Sequence, residues 1–173
     1  MRDRRRVERF ELRVGGLSCG QLMIELSSRG IQLNGHAETL LEDVVHDGRA
    51  AQTVVLTERT VADLGFPTGA TLSGVFEAAR RRGLQLCPAD TGPYLRLALT
   101  EQAESRDSVM SAGRAPEGAL TVAAEPLSED DEYPKGFYLR VVDGQAWLRG
   151  YRCDDEHRWS PEDRFLFQLA PTH

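Results

Sequence analysis

Residues 10–14 alternate apolar and polar, which puts Phe10, Leu12 and Val14 on one face of a predicted strand. Gly15 and Gly16 end it. Ser18 and Gln21 have the spacing of a capping box, in which a serine oxygen and a glutamine side chain satisfy free amides at a helix start. Leu22, Met23 and Leu26 give that helix an apolar stripe, and Gly30 stands where a left-handed residue stops it. Ile31 and Leu33 suit a short strand. Ala37, Leu40, Leu41 and Val44 are spaced for one buried face of a second helix over 36–45.

A similar order then returns. Residues 53–57 (Thr-Val-Val-Leu-Thr) are β-branched and predict a strand, and residues 60–64 a helical turn closed by Gly65 and Pro67. Leu72, Val75, Phe76 and Ala79 face inward from a helix over 72–82. Arg80, Arg81 and Arg82 complement the negative end of its dipole, and Gly83 stops it. The two helix exits match, Ser28-Arg29-Gly30-Ile31-Gln32-Leu33 against Arg81-Arg82-Gly83-Leu84-Gln85-Leu86. Either a duplicated strand–helix–strand unit or shared capping chemistry accounts for that. Residues 94–99 read as a further strand, with Tyr94 and Arg96 opposite Leu95, Leu97 and Leu99. The expected class is α+β, with N-terminal strand–helix units packed with a C-terminal antiparallel β-sheet. It divides into an α/β lobe over 8–100, a Ser/Arg/Glu/Gly/Pro linker or long loop over 101–118, and a β-rich lobe over 119–173.

In the last third, residues 120–124 predict a strand, 126–134 an acidic loop, and 164–169 a strand with Phe165, Phe167 and Leu169 on one face. Between them, two strand-like runs over 137–142 and 145–151 flank Asp143-Gly144, the pair a type I′ turn favours. With those two residues as the loop, Val142 pairs with Gln145 and the register is set. Phe137, Leu139, Val141, Ala146 and Leu148 then form an apolar underside. Tyr138, Arg140, Trp147, Arg149 and Tyr151 share the upper side, with Arg140 across from Trp147 and Tyr138 across from Arg149, pairings suited to cation–π contact. That surface is either a recognition face, rings stacking on a ligand while guanidinium groups hold anionic oxygens, or a self-supporting ladder covered by the acidic loop at 129–132.

Charge changes the picture in one respect. The net charge is −6, which argues against generic polyanion binding, yet Arg2, Arg4, Arg5, Arg6 and Arg9 open the chain while Glu129, Asp130, Asp131 and Glu132 form an acidic block. Lys135 is the sole lysine, an arginine bias that suits a GC-rich genome. Cys19, Cys87 and Cys153 are odd in number and widely spaced, so they signal neither a zinc knuckle nor a disulfide framework. No apolar run is long enough for a secretory signal or a membrane span, and a cytoplasmic protein is expected.

Candidate chemistry is sparse. Asp154, Asp155 and His157, beside Cys153 and Glu156, gather carboxylates and an imidazole that a divalent cation could use in metal-assisted hydrolysis; a solvated loop has the same composition. His36, His46 and His173 are isolated, and neither GxSxG, GxGxxG nor GxxxxGK[ST] occurs. No cofactor is implied. Leu-Asn at 33–34, Val-Ala-Asp-Leu-Gly at 61–65, Lys-Gly-Phe-Tyr-Leu-Arg at 135–140, Trp-Leu-Arg-Gly-Tyr at 147–151 and Asp-Arg-Phe-Leu-Phe at 163–167 resemble a family of short uncharacterised bacterial proteins. Some of its members carry an automatic helicase label. The resemblance implies no established activity, and the label has no counterpart in a chain without a Walker lysine and too short for two motor lobes. The expected function is a binding or interaction module recognising a protein or anionic ligand through the hairpin. The alternatives are the metal-assisted hydrolase and a single-stranded nucleic-acid binder that adds the N-terminal arginines to the hairpin.

Overall fold

The computed structural model describes residues 9–45, 50–103 and 119–170. Arg2, Arg4, Arg5, Arg6, His46, His173 and most of the 101–118 segment lie outside them. Ten strands and four α-helices are described, so the α+β class expected from the sequence is the class of the fold. Strands β1 (Phe10–Val14), β3 (Gln52–Thr60), β10 (Arg164–Leu169), β6 (Leu120–Val122), β7 (Gly136–Val142), β8 (Gln145–Tyr151) and β2 (Gln32–Leu33) lie side by side in that order. β5 (Leu84–Gln85) also pairs with β10, while β4 (Ala70–Thr71) and β9 (Arg158–Trp159) form a separate two-stranded ribbon. Strands from 8–100 and from 119–173 therefore share one sheet.

That sheet carries a core on each face, because successive residues of a strand point to opposite sides. On one face, Leu12, Val14, Val54, Leu56, Leu139, Leu148 and Leu166 meet helices α1 (Cys19–Ser28), α2 (Gly35–Val44) and α4 (Thr91–Ala103). On the other, Phe165 and Phe167 meet Val75, Phe76 and Ala79 of α3 (Leu72–Arg81) and Leu64 of a single 3-10 turn. The local punctuation is as the sequence predicts. Ser18 and Gln21 close the capping box of α1, and Gly30, Gly65 and Gly83 take positive φ after the helical segments. The arginine triplet is occupied structurally: Arg80 pairs with Glu125 at 3.1 Å, Arg81 with Glu77 at 3.0 Å, and Arg82 donates to the Leu64 carbonyl.

Three features differ from the expectation. Residues 94–99 are not a strand but lie within α4. Leu95, Leu97 and Leu99 mimic period two, but the run contains no β-branched residue, and Pro93 sits in the first turn, where a proline costs no hydrogen bond. The sheet is mixed, since β6 runs parallel to β10 and β2 parallel to β8. The matching helix exits share backbone geometry yet lead to different neighbours: β2 joins β8 in parallel, whereas β5 joins β10 antiparallel. Among the described residues no helix is long and apolar enough to cross a membrane.

Candidate functional site

The hairpin has the register its turn dictates. Val142 pairs with Gln145, Val141 with Ala146, Arg140 with Trp147, Leu139 with Leu148, Tyr138 with Arg149 and Phe137 with Gly150. Asp143 and Gly144 both take positive φ, 52° and 78°, as a type I′ turn requires. Phe137, Leu139 and Leu148 are buried in the core beneath, so Tyr138, Arg140, Trp147 and Arg149 stand together on the opposite side, all half-buried. The cation–π contact runs along one strand rather than across two. The Arg149 guanidinium lies 4.3 Å above the Trp147 ring, and its Nη1 also donates to the Tyr138 hydroxyl at 3.4 Å. Two residues along a strand share a face, and the long guanidinium arm spans that step.

Neither Arg140 nor Arg149 has a carboxylate partner among the described residues, and each Nε is buried without a hydrogen-bond partner. The acidic loop does not cover them. Glu132 pairs with Arg152 at 2.6 Å, Lys135 Nζ donates to the carbonyls of Ser128 and Asp130, and the Tyr133 hydroxyl donates to Asp43 on α2. Burial, helped by that bond and by the charge of Asp43, pushes the Tyr133 phenol up to about 12. The loop is thus tied down elsewhere.

Tyr151 does not belong to the open face. It is buried, its ring edge-on to Trp159 at 5.4 Å, and Trp159 in turn meets Phe165 at 5.0 Å. The segment carrying β9 roofs the hairpin's root. Sequence spacing places Tyr151 on the correct side of the sheet but contains nothing about what folds over it. Burial raises its phenol far above the ordinary range, so the hydroxyl stays protonated.

One residue that sequence reading leaves unused supports the hairpin from below. Arg96 on α4 is 3% exposed, its Nη1 donates to the Trp147 carbonyl at 3.4 Å, and its Nε has no partner among the described residues. Among the described residues it has no counter-charge, and burial pulls its guanidinium down to about 10. A cation held this way costs stability, so Arg96→Met is expected to raise the unfolding free energy by about 1–2 kcal/mol, read from the urea midpoint at neutral pH.

The proposed metal ligands separate. Asp154 and Asp155 line an open cleft of about 460 Å³ beside the hairpin root, whereas the His157 ring stands edge-on to Trp159 at 5.1 Å. Among the described residues, no three His, Cys, Asp or Glu side chains converge in a metal-holding group. Cys153 also lines the cleft. Burial holds its thiol above the usual range, opposed by the Lys135 ammonium and reinforced by Asp154, Asp131 and Asp155. It is a neutral thiol rather than an activated thiolate.

Fold and site define an α+β protein whose central mixed sheet presents an arginine–aromatic hairpin face on one side of its tip. No protein-family model, no curated protein and no solved structure matches the chain.

Proposed function

We propose that the protein is a binding module that captures an anionic group, presented by a small ligand or by a protein surface, on the face formed by Tyr138, Arg140, Trp147 and Arg149. The observation that carries this reading is the pair of guanidinium groups on one sheet face, one stacked on Trp147, with no carboxylate partner among the described residues. A guanidinium fork matches phosphate or carboxylate oxygens two at a time, and stacking on an aromatic ring leaves its edge free to do so. The rings offer a surface for any planar part of the ligand. Cys19, Cys87 and Cys153, none of them in a disulfide, support a cytosolic setting for this module.

Trp147 sits in the face and reports on it. Titration with sodium pyrophosphate and with phosphotyrosine at low ionic strength is expected to change tryptophan emission saturably. Arg140→Ala and Arg149→Ala should each weaken binding by about tenfold, as loss of a hydrogen bond to a charged group does. Their thermal midpoints should move by less than about 2 °C, since both side chains lie outside the core. Absence of a saturable change with either anion, or unaltered binding by both variants, refutes the reading. Retention on single-stranded DNA that falls steeply with salt would favour a nucleic-acid reader instead.

A further inference from the structure

On the α3 side of the sheet, the cleft of about 460 Å³ falls within the size range of ligand-binding concavities and is distinct from the hairpin's arginine face. Leu72 and Phe76 of α3 and Leu127 of the following loop give it apolar walls. Leu127 is 50% exposed, and it and Ile24 are the large hydrophobic residues left exposed among those described. Leu72 and Leu127 beside charged side chains give the cleft the mix of apolar wall and few polar groups that ligand-binding concavities have. We propose that this cleft docks a basic peptide segment of a partner protein, one in which arginine or lysine residues flank an apolar residue.

The sign of the partner follows from which charges are already used. Arg80 is balanced by Glu125 at 3.1 Å, while Lys135, whose Nζ donates to the carbonyls of Ser128 and Asp130 at 3.1 and 3.4 Å, keeps its single positive charge. Glu129, Asp154 and Asp155 on the rim have no cationic partner among the described residues. The unneutralised field at the mouth is therefore negative, and it favours a cation. Lys135, only 7% exposed, adds a point of backbone recognition. Its ammonium has three donors and spends two, leaving one for a peptide carbonyl. A peptide thus meets the rim with its cationic side chains, Leu127 and Leu72 with its apolar residue, and Lys135 with its backbone. A small polyamine would satisfy the rim alone.

The test uses the full chain and a fluorescein-labelled hexapeptide of alternating arginine and leucine, followed by fluorescence anisotropy. Saturable binding is expected, weakened about tenfold by the triple variant E129Q/D154N/D155N, as removal of rim charges implies, and about threefold by Leu127→Ser. The variant E11Q/E38Q/E42Q, which removes the same charge from exposed positions elsewhere, should bind as the unaltered protein does, as should R140A/R149A. No saturation, equal weakening by the two triple variants, unchanged binding by Leu127→Ser, or displacement of the peptide by spermidine at matched charge would each overturn the proposal. Because the hairpin variants report separately, failure here is distinguishable from failure of the anion-binding reading.

Discussion

Gly150→Ala is expected to destabilise the protein by about 3 kcal/mol or more, because it adds volume where backbone meets backbone. A Cβ at Gly150 would lie 2.8 Å from the carbonyl carbon of His36 and 2.9 Å from its oxygen. Those atoms cannot rotate away, so either β8 or α2 must move. Asn34 opposes the movement. It caps α2 by accepting from the Ala37 amide at 2.8 Å, and the same side chain exchanges two hydrogen bonds with Gly150, at 3.0 and 3.1 Å. Shifting the helix away from β8 therefore strains the cap and the strand contact together. For a chain of this size, the thermal midpoint should fall by about 6–12 °C. Gly30→Ala is the control. It has positive φ but open space around it, and should cost only about 1 kcal/mol of backbone strain. A Gly150→Ala midpoint within about 2 °C of the unaltered protein would show that α2 is not held against β8 as described.

Glu58→Ala carries the second large effect, about 3–5 kcal/mol, through removal of one partner of a buried ion pair. Glu58 and Arg164 form a 3.2 Å ion pair with side chains 3% and 12% exposed. In register, Glu58 lies opposite Leu166, so it points to the face that also holds Leu56 and Leu166. Removing the carboxylate takes the 3.2 Å ion-pair partner away from the Arg164 guanidinium at the edge of an apolar core. Replacing both partners, as in E58L/R164M, should recover most of the loss, because neither desolvated charge remains. Denaturant unfolding of the single and double variants measures the difference. A double variant as unstable as Glu58→Ala would show that the pair does more than balance its own charges.

Both effects arise where distant parts of the chain meet, and that is also where sequence reading stopped short. The hairpin was legible to the residue because a two-residue Asp143-Gly144 loop leaves a single register, and alternation along each strand then sorts the side chains. The caps of α1 and the stops at Gly30 and Gly83 were legible for the same reason, since the interacting groups lie within a few residues of one another. α4 was misread because Leu95, Leu97 and Leu99 fit two periodicities, and only the helix start at Thr91-Gly92-Pro93 separates them. Asn34 was visible as a residue but not as a clamp, because its partner Gly150 lies 116 positions away. For the candidate site, spacing selected Tyr138, Arg140, Trp147 and Arg149 correctly as one face. It could not show Trp159 closing over Tyr151, nor the acidic loop turning toward Arg152 and Asp43.

By itself, then, the sequence determined the elements whose hydrogen bonds and torsions close over short stretches: the capped helices, the tight turn and its register, and the apolar alternation of β1 and β10. The tertiary structure alone decided which strands became neighbours, which aromatic was roofed over, and which charges were left without partners. Those outcomes depend on contacts between segments far apart in the chain. Each such contact requires closing a long loop, and its worth depends on what else is packed there, so no local pattern encodes it.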